Sequence, residues 1–204
     1  MPEDLYVRKN RFGQIIEKGT YFNKKKHGEW IRYGRLGQKL EMKTYASNEL
    51  NGKYQFYYEN GSIHEEGYYK SGIQDGKQTI YYENGNIFKE GMIENGNIKG
   101  EWAFYYLNGN MEEKGRLDGD IKQGLWRKYY ESGDISEEGT YVDNRKTGEW
   151  ISYWENGEIR SKGAYDENHK QTGEWFYHRE DGTVSEVKDF SEDDKYYNGV
   201  DKIA

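Results

Sequence analysis

The residues that could perform acid–base or metal chemistry are four histidines and several adjacent pairs of acids. None of the histidines stands near a recognisable nucleophile, so we expect surface or packing roles for them. Adjacent side chains on a strand point to opposite faces, so Glu65 and Glu66 cannot form a two-carboxylate site. Asp118-Gly119-Asp120 resembles part of a calcium loop, but the other ligands of such a loop are missing. The histidines are His27, His64, His169 and His178.

Other reactive groups are equally sparse. The chain has no cysteine, which excludes disulfides, thiolate metal sites and cysteine nucleophiles. It contains no phosphate loop, no dinucleotide-binding glycine motif, no G-x-S-x-G and no HExxH motif. We therefore predict a protein that is not an enzyme, with no catalytic residues, no metal, no cofactor and no small-molecule substrate.

Charge is distributed unevenly along the chain. Residues 1–51 contain 11 basic and 6 acidic residues, a net charge of +5, whereas residues 52–204 contain 19 and 31, a net charge of −12. A long acidic segment disfavours nucleic acid as a partner. The run Lys24, Lys25, Lys26, His27 could touch anionic lipid, but it is shorter than typical lipid-binding clusters, and we expect a solvated loop.

The first ten residues, MPEDLYVRKN, lack the apolar segment of a signal peptide. No apolar run in the chain approaches the ~18 residues that a membrane helix needs. We therefore expect a cytoplasmic protein without a transmembrane segment.

The elements that carry these residues must be built around aromatic side chains. Leu, Ile, Val and Phe make up only 33 of the 204 residues, below the ~20% under which highly charged chains are usually disordered. The chain is nevertheless rich in aromatic residues, with 21 Tyr, 7 Phe and 6 Trp. Each aromatic side chain can bury on the order of 150 to 250 Å². The sequence therefore predicts an aromatic core.

A repeat organises the chain. One series of glycines recurs every 24 residues, with a single insertion before its last member, and a second series runs parallel to it. Because a fixed period of this kind signals a repeat architecture, we predict a tandem array. The first series is Gly28, Gly52, Gly76, Gly100, Gly124, Gly148 and Gly173, and the second is Gly13, Gly37, Gly61, Gly85, Gly109, Gly133, Gly157 and Gly182.

Each unit is predicted to form a β-hairpin. The unit reads G-E-W-x-x-Y-Y-E-N-G-x-I-x-x-x-G-x-Y, followed by six polar residues that we expect to form a loop. The pair Asn60-Gly61 favours a two-residue type I′ turn, because both turn residues then need positive φ. That turn would place Tyr58 opposite Ile63.

Aromatic side chains are expected to separate onto two faces of the sheet. The same turn would place Tyr54, at the third position of its unit, opposite Gly67, thirteen residues later, so that the ring covers bare glycine backbone. By the same reasoning Trp126 would lie over Gly139. The tyrosine at the sixth position takes the opposite face.

The units resemble the MORN-repeat family, in particular the bacterial variant with the signature G-x-W-x-x-Y-Y-x-N-G-x-I-x-x-x-G. The resemblance implies an all-β fold, an elongated single-layer twisted antiparallel sheet of tandem 24-residue hairpins. It also divides the chain into an N-terminal partial repeat or cap at 1–27, seven tandem repeats at 28–190, and a C-terminal cap or tail at 191–204. Similar proteins are often called YwqK-family antitoxins, which implies a toxin-neutralising role.

The sixth-position tyrosines are the candidate binding residues. Aromatic neighbours on adjacent strands stabilise a sheet, and tyrosine is also favoured in protein interfaces. We predict a protein-binding module, such as an antitoxin for a basic toxin, with a structural or membrane-associated scaffold as the alternative. The predicted row is Tyr33, Tyr57, Tyr81, Tyr105, Tyr129, Tyr153 and Tyr177, and its preferred partner-binding members are Tyr57, Tyr81, Tyr105, Tyr129 and Tyr153.

Overall fold

The computed structural model describes residues 3–191, and in that part of the chain every regular element is a β-strand. Seventeen strands form an open antiparallel sheet, as the tandem hairpins predicted. The strands are β1 Asp4–Lys9, β2 Ile15–Phe22, β3 Lys25–Tyr33, β4 Lys39–Ala46, β5 Glu49–Tyr57, β6 Ile63–Lys70, β7 Ile73–Gln74, β8 Gly76–Tyr81, β9 Ile87–Glu94, β10 Asn97–Tyr105, β11 Met111–Asp118, β12 Ile121–Tyr129, β13 Ile135–Val142, β14 Arg145–Tyr153, β15 Ile159–Tyr165, β16 Gln171–His178 and β17 Val184–Asp189.

The chain forms two compact units. Unit 1 is Met1–Asn110 with Leu117–Asp120, and unit 2 is Met111–Arg116 with Ile121–Ala204. In unit 1, β1 pairs with β2, and the antiparallel pairing continues as far as β9 with β10, with the short β7 and the next strand β8 both paired with β6. Unit 2 repeats the pattern from β12 to β17. The predicted cap at 191–204 lies outside the described residues except for Ser191.

The turn at Asn60-Gly61 is not the predicted type I′ turn. The amide of Gly61 donates to the carbonyl of Tyr58 at 3.0 Å, and the amide of Tyr58 donates to the carbonyl of Ser62 at 2.9 Å. Of the loop residues only Gly61, at φ 88°, has positive φ. This is a three-residue loop that ends in a bulge glycine. The side-chain oxygen of Asn60 accepts the Ser62 amide at 2.8 Å, which stabilises the wider loop.

The wider loop shifts the predicted pairing near the turn by one residue. Tyr57, not Tyr58, lies opposite Ile63. Beyond the resulting bulge the register is as predicted, with Tyr54 opposite Gly67. The outer parts of the hairpin therefore keep the predicted alternation of faces.

Turns with two consecutive positive-φ residues occur instead between hairpins. Asn23 and Lys24 have φ of 51° and 62°, and Asp143 and Asn144 have φ of 51° and 66°. The six residues predicted as loop are therefore mostly strand, because a two-residue turn leaves four of them free to pair. The inserted residue before Gly173 enlarges one such turn, in which the amide of His169 donates to the carbonyl of Asp166 at 3.0 Å.

The core lies on the face that carries the tryptophans. Tyr54 covers Gly67 as predicted, but the tryptophan rings cover different glycines from those predicted. Trp126 is opposite Gly139 in register, yet its ring lies over Gly115, and Gly139 is covered by Trp150. The indole N–H of Trp126 reaches back to the carbonyl of Arg116 at 3.2 Å, which fixes this direction. The buried core aromatics are Trp30, Tyr54, Trp102, Trp126, Tyr141, Trp150 and Trp175.

Candidate functional site: the tyrosine face

The sixth-position tyrosines lie on the sheet face opposite the tryptophans, as predicted. On β14, Trp150 faces Gly139 and Gly163, and Tyr153, three residues later, points to the other side. We call the two sides the tryptophan face and the tyrosine face. All five tyrosines of the predicted binding row are half-buried. Unit 1 carries Tyr57, Tyr81 and Tyr105, and unit 2 carries Tyr129 and Tyr153.

Three of these tyrosines are anchored by carboxylates of the preceding hairpin. The hydroxyl of Tyr81 donates to Glu66 at 2.9 Å, and that of Tyr105 donates to Glu90 at 3.2 Å. In unit 2 the hydroxyl of Tyr153 donates to Glu138 at 2.9 Å. In each case the acid stands fifteen residues before the tyrosine. The arrangement fixes the ring of each tyrosine relative to the sheet.

Each anchoring carboxylate is also held by a cation. Glu66 pairs with Lys53, and Glu90 pairs with Lys77, both at 2.8 Å. Glu138 pairs with Arg127 at 2.8 Å, and this hydrogen bond lowers the pKa of Glu138 against the opposing effect of burial. The tyrosine face therefore presents repeated groups of tyrosine, carboxylate and cation.

The anchored tyrosines keep their protons at high pH. Burial and the hydrogen bond to Glu66 raise the pKa of Tyr81 to about 12. Burial and the hydrogen bond to Glu138 raise the pKa of Tyr153 to about 12 as well. Both hydroxyls therefore act as neutral donors to the carboxylates at physiological pH.

Tyr57 and Tyr129 make other contacts. The hydroxyl of Tyr57 donates to Gln55 at 2.8 Å, and the ammonium of Lys114 lies 5.9 Å from the ring centre of Tyr129. The residues fifteen places earlier are Met42 and Lys114, so neither tyrosine has an acid there. A glutamate fifteen residues before a sixth-position tyrosine is the sequence signal that would have found the anchored members.

Tyr177 does not belong to the row, contrary to prediction. It lies opposite Ser161, which in turn faces Ser152 on the tryptophan face. The one-residue insertion before Gly173 places His178 at the sixth position of the repeat that begins at Gly173. The row prediction is therefore wrong at its last member.

A shallow cavity opens on the tyrosine face of unit 1, beside Tyr81. Exposed apolar surface continues next to it, because Tyr68 and Met92 have 48% and 44% of their surface exposed. This part of the face combines aromatic, aliphatic and paired charged groups. The cavity is lined by Lys53, Glu66, Gly67, Tyr68, Lys77, Thr79, Tyr81, Ile87 and Glu90.

Tyrosines at the seventh position of a repeat donate hydrogen bonds to the backbone carbonyls of the sixth-position tyrosines. The hydroxyl of Tyr58 donates to the carbonyl of Tyr81 at 2.6 Å, and that of Tyr82 donates to the carbonyl of Tyr105 at 2.8 Å. The hydroxyl of Tyr130 makes the same bond to Tyr153 at 2.6 Å. In these three cases one hairpin fixes the position of the sixth-position tyrosine in the next hairpin.

The tryptophan face contains a feature that the sequence reasoning missed. Lys26, expected in a solvated loop, lies 3.9 Å from the ring centre of Trp30 and 3.8 Å from Glu17. A cation over an indole face is attracted by the ring's charge distribution. A lysine four residues before the tryptophan is the sequence signal. The same three-part group recurs as Glu113, Lys122 and Trp126, and as Glu137, Lys146 and Trp150.

The candidate acid–base residues are kept apart. Glu65 accepts a hydrogen bond from the buried Tyr54 at 2.7 Å, whereas the adjacent Glu66 faces Tyr81, so this acid pair is split between two faces as predicted. His64 packs against the ring of Tyr58 with centroids 4.7 Å apart. Within residues 3–191 no three His, Asp or Glu side chains are grouped so as to hold a metal ion. No helix in that range is long and apolar enough to cross a bilayer.

The repeats match a known family. The sequence model described as MORN repeat variant matches five segments: 50–71, 74–95, 98–116, 122–143 and 146–167. These segments cover just over half of the chain and fall on successive hairpins. The chain therefore belongs to the MORN repeat variant family. Repeats of this family are generally non-enzymatic modules that bind proteins or membranes.

No curated protein matches the chain. A solved structure described as "Crystal Structure of TcdB2-TccC3-Cdc42" is 10% identical over 89% of this chain, with a TM-score of 0.19. A second, "Crystal Structure of TcdB2-TccC3", is 10% identical over the same share, with a TM-score of 0.21. This chain spans 12% of the length of each, and neither superposition is close enough to support an inference.

Proposed function

We propose that this chain is a non-enzymatic protein-binding module whose tyrosine face docks on a partner protein. The observation that carries the proposal is the repeated anchoring of Tyr81, Tyr105 and Tyr153 by carboxylates of the preceding hairpin. A side chain already held in one orientation loses less conformational entropy when a partner binds. The docking row comprises Tyr57, Tyr81, Tyr105, Tyr129 and Tyr153.

The chemistry of the surrounding surface supports a protein partner. Next to Tyr81, exposed Tyr68 and Met92 offer apolar contact area. Tyrosine and methionine are both enriched in protein interfaces. The paired charges of Lys53 and Glu66 supply polar contacts around this apolar area.

The partner would be basic, and binding would act by occlusion. The net charge of −12 over residues 52–204 would speed encounter with a basic protein, and this effect would weaken as salt rises. An antitoxin that covers the active cleft of a basic toxin is the specific form of this proposal. Such an antitoxin would inhibit the toxin by binding alone, without catalysing a reaction.

Photo-crosslinking from two adjacent residues tests which face binds. Tyr81 lies on the tyrosine face, and Ile80, opposite Glu65, lies on the tryptophan face. A photoreactive phenylalanine analogue placed at Tyr81 should crosslink a partner protein in the native cells, whereas the same group at Ile80 should not. Crosslinking only from Ile80, or from neither position, would contradict the proposal.

The affinity for the captured partner gives a second readout. Tyr81→Ser with Tyr105→Ser should weaken binding by more than ~2 kcal/mol, the scale of an interface hot spot. Leu107→Ser is the matched control, because Leu107 lies in a turn of unit 1 with 59% of its surface exposed. Unchanged affinity in the folded double variant would assign the tyrosines a purely structural role.

A structural or membrane-associated scaffold is the alternative function. Its membrane-associated form requires that Lys24, Lys25, Lys26 and other cations gather on one face. The ammonium of Lys26 instead lies over the ring of Trp30. Two exposed lysines at one turn are fewer than the four to eight cations typical of lipid-binding clusters. Binding to anionic vesicles at physiological salt would favour this alternative over the protein-binding module.

A further inference from the structure

Within the described residues, the first strand of unit 1 has one edge available for pairing. β1 pairs along one edge with β2, from Asp4 opposite Tyr21 to Lys9 opposite Ile15. Within residues 3–191, β2 is the strand with which β1 makes extensive contact. The backbone N–H and C=O groups along the outer edge of such a strand are a template for another strand.

The residues of this edge are complementary to themselves when the strand is reversed. Glu3 and the six residues of β1 read E-D-L-Y-V-R-K, with two acids, an apolar residue, tyrosine, an apolar residue and two bases. If a second copy pairs antiparallel about Tyr6, each acid meets a base and each apolar residue meets an apolar residue. The resulting pairs are Glu3 with Lys9, Asp4 with Arg8, and Leu5 with Val7, each made twice.

The strand is accessible and its centre is held rigidly. Leu5 has 77% of its surface exposed and Val7 has 40%. The side chain of Arg8 is 53% exposed beside Glu17 of the same chain. Tyr6 packs on the tryptophan face with its ring centre 5.2 Å from that of Trp30. The strand is therefore already ordered before a partner strand arrives.

The last strand of the described residues has a different pattern when it is reversed about its midpoint. β17 is Val184–Asp189, with the sequence V-S-E-V-K-D. Reversed onto itself, it places Val184 opposite Asp189, and Glu186 opposite Val187. In this register charges lie against apolar side chains.

We infer that β1 is a self-association edge, through which two copies of this chain form an isologous dimer with its two-fold axis at Tyr6. In such an interface each contact occurs twice. Opposite charges placed directly across two strands stabilise the pairing, and like charges destabilise it. The dimer uses the edge of the sheet and is independent of the docking role proposed for the tyrosine face.

A charge-swap experiment tests the inference. The basic variant carries Glu3→Lys and Asp4→Lys, and the acidic variant carries Arg8→Glu and Lys9→Glu. Sedimentation equilibrium should show a dimer for the unaltered chain and a dissociation constant raised by at least about tenfold in each variant alone, because like charges then face each other. An equimolar mixture of the two variants should form a heterodimer.

Two controls keep this result interpretable. Glu186→Lys on β17 should leave the dimer unchanged. Because Arg8 pairs with Glu17 within one chain, thermal unfolding must show that the acidic variant is folded, and otherwise the single swaps Glu3→Lys and Lys9→Glu replace the double ones. A monomeric unaltered chain, undiminished association of the variants, or a mixture that stays monomeric would each overturn the inference.

Discussion

The hairpins of unit 2 and the middle hairpins of unit 1 fill the same place in the core in different ways. In unit 2, Trp126 and Trp150 reach back over Gly115 and Gly139 of the preceding hairpin. In unit 1, Tyr54 leans forward over Gly67, and its hydroxyl donates to Glu65 at 2.7 Å.

The cause of this difference is the residue that lies behind each ring. Tyr54 faces Lys43 on the preceding hairpin, where Trp126 has a glycine. A side chain at that place excludes the ring, so Tyr54 turns to Gly67 in front. The next 24-residue repeat has Gln78 at the third position. The side-chain amide of Gln78 donates to Glu65 at 2.8 Å and does not cover Gly67.

A large ring and the glycine one hairpin behind it therefore act together in the core. Where the glycine is lost, the ring changes direction and the polar groups of the core are rearranged around it. In unit 1 this produces a hydrogen-bonded cluster of Tyr54, Glu65, Gln74 and Gln78. In unit 2 lysine–tryptophan stacking occupies the equivalent space.

The largest expected effect is the loss of a backward-facing ring. Trp126→Ala should lower the free energy of unfolding by about 3 to 5 kcal/mol, because the side chain is fully buried and leaves a cavity over Gly115. Denaturant titration measures this change. Leu107→Ala, at an exposed turn, should change it by less than about 0.5 kcal/mol. A loss below about 1 kcal/mol for Trp126→Ala would show that the ring is not a core element.

A smaller loss of folding stability is expected at alkaline pH, and it should occur in both units. Burial and the Glu66 and Glu138 hydrogen bonds raise the pKa of Tyr81 and of Tyr153 to about 12, whereas an unfolded tyrosine titrates near ~10. The unfolded chain therefore loses these protons first, and stability should fall as pH rises from about 10 to about 12.

Denaturant midpoints measured across that pH range test this expectation. Tyr153→Phe removes one of the titrating hydroxyls, so this variant should lose less stability over the same range than the unaltered chain. Equal losses in the two proteins would contradict the role assigned to the bond between Tyr153 and Glu138.

Part of this architecture could be predicted from the sequence because it depends only on period and alternation. The 24-residue step predicted the hairpins, and the two-residue alternation of strands predicted that Glu65 and Glu66 face opposite sides. The register of Tyr54 with Gly67 also followed, since it lies beyond the bulge that the wider turn introduces.

The remaining features depend on packing that the pattern does not specify. An Asn-Gly pair fits two kinds of turn, and the hydrogen bond from the Ser62 amide to Asn60 stabilises the longer one. Gly139 faces both Trp126 and Trp150 in register, so register alone could not decide which ring covers it. The anchoring of Tyr153 by Glu138 needed side-chain geometry as well.

A pair of double-mutant cycles tests most directly whether each ring is matched to the glycine behind it. Gly139→Ala would force a methyl group into the ring of Trp150, and should cost about 1 to 3 kcal/mol. In a Trp150→Gln background, which imitates the natural Gln78, the same change should cost much less, giving a coupling above about 1 kcal/mol. In a Trp126→Gln background Gly139→Ala should keep its full cost. Equal costs in the unaltered chain and the Trp150→Gln background, or a stronger coupling to Trp126, would contradict the account.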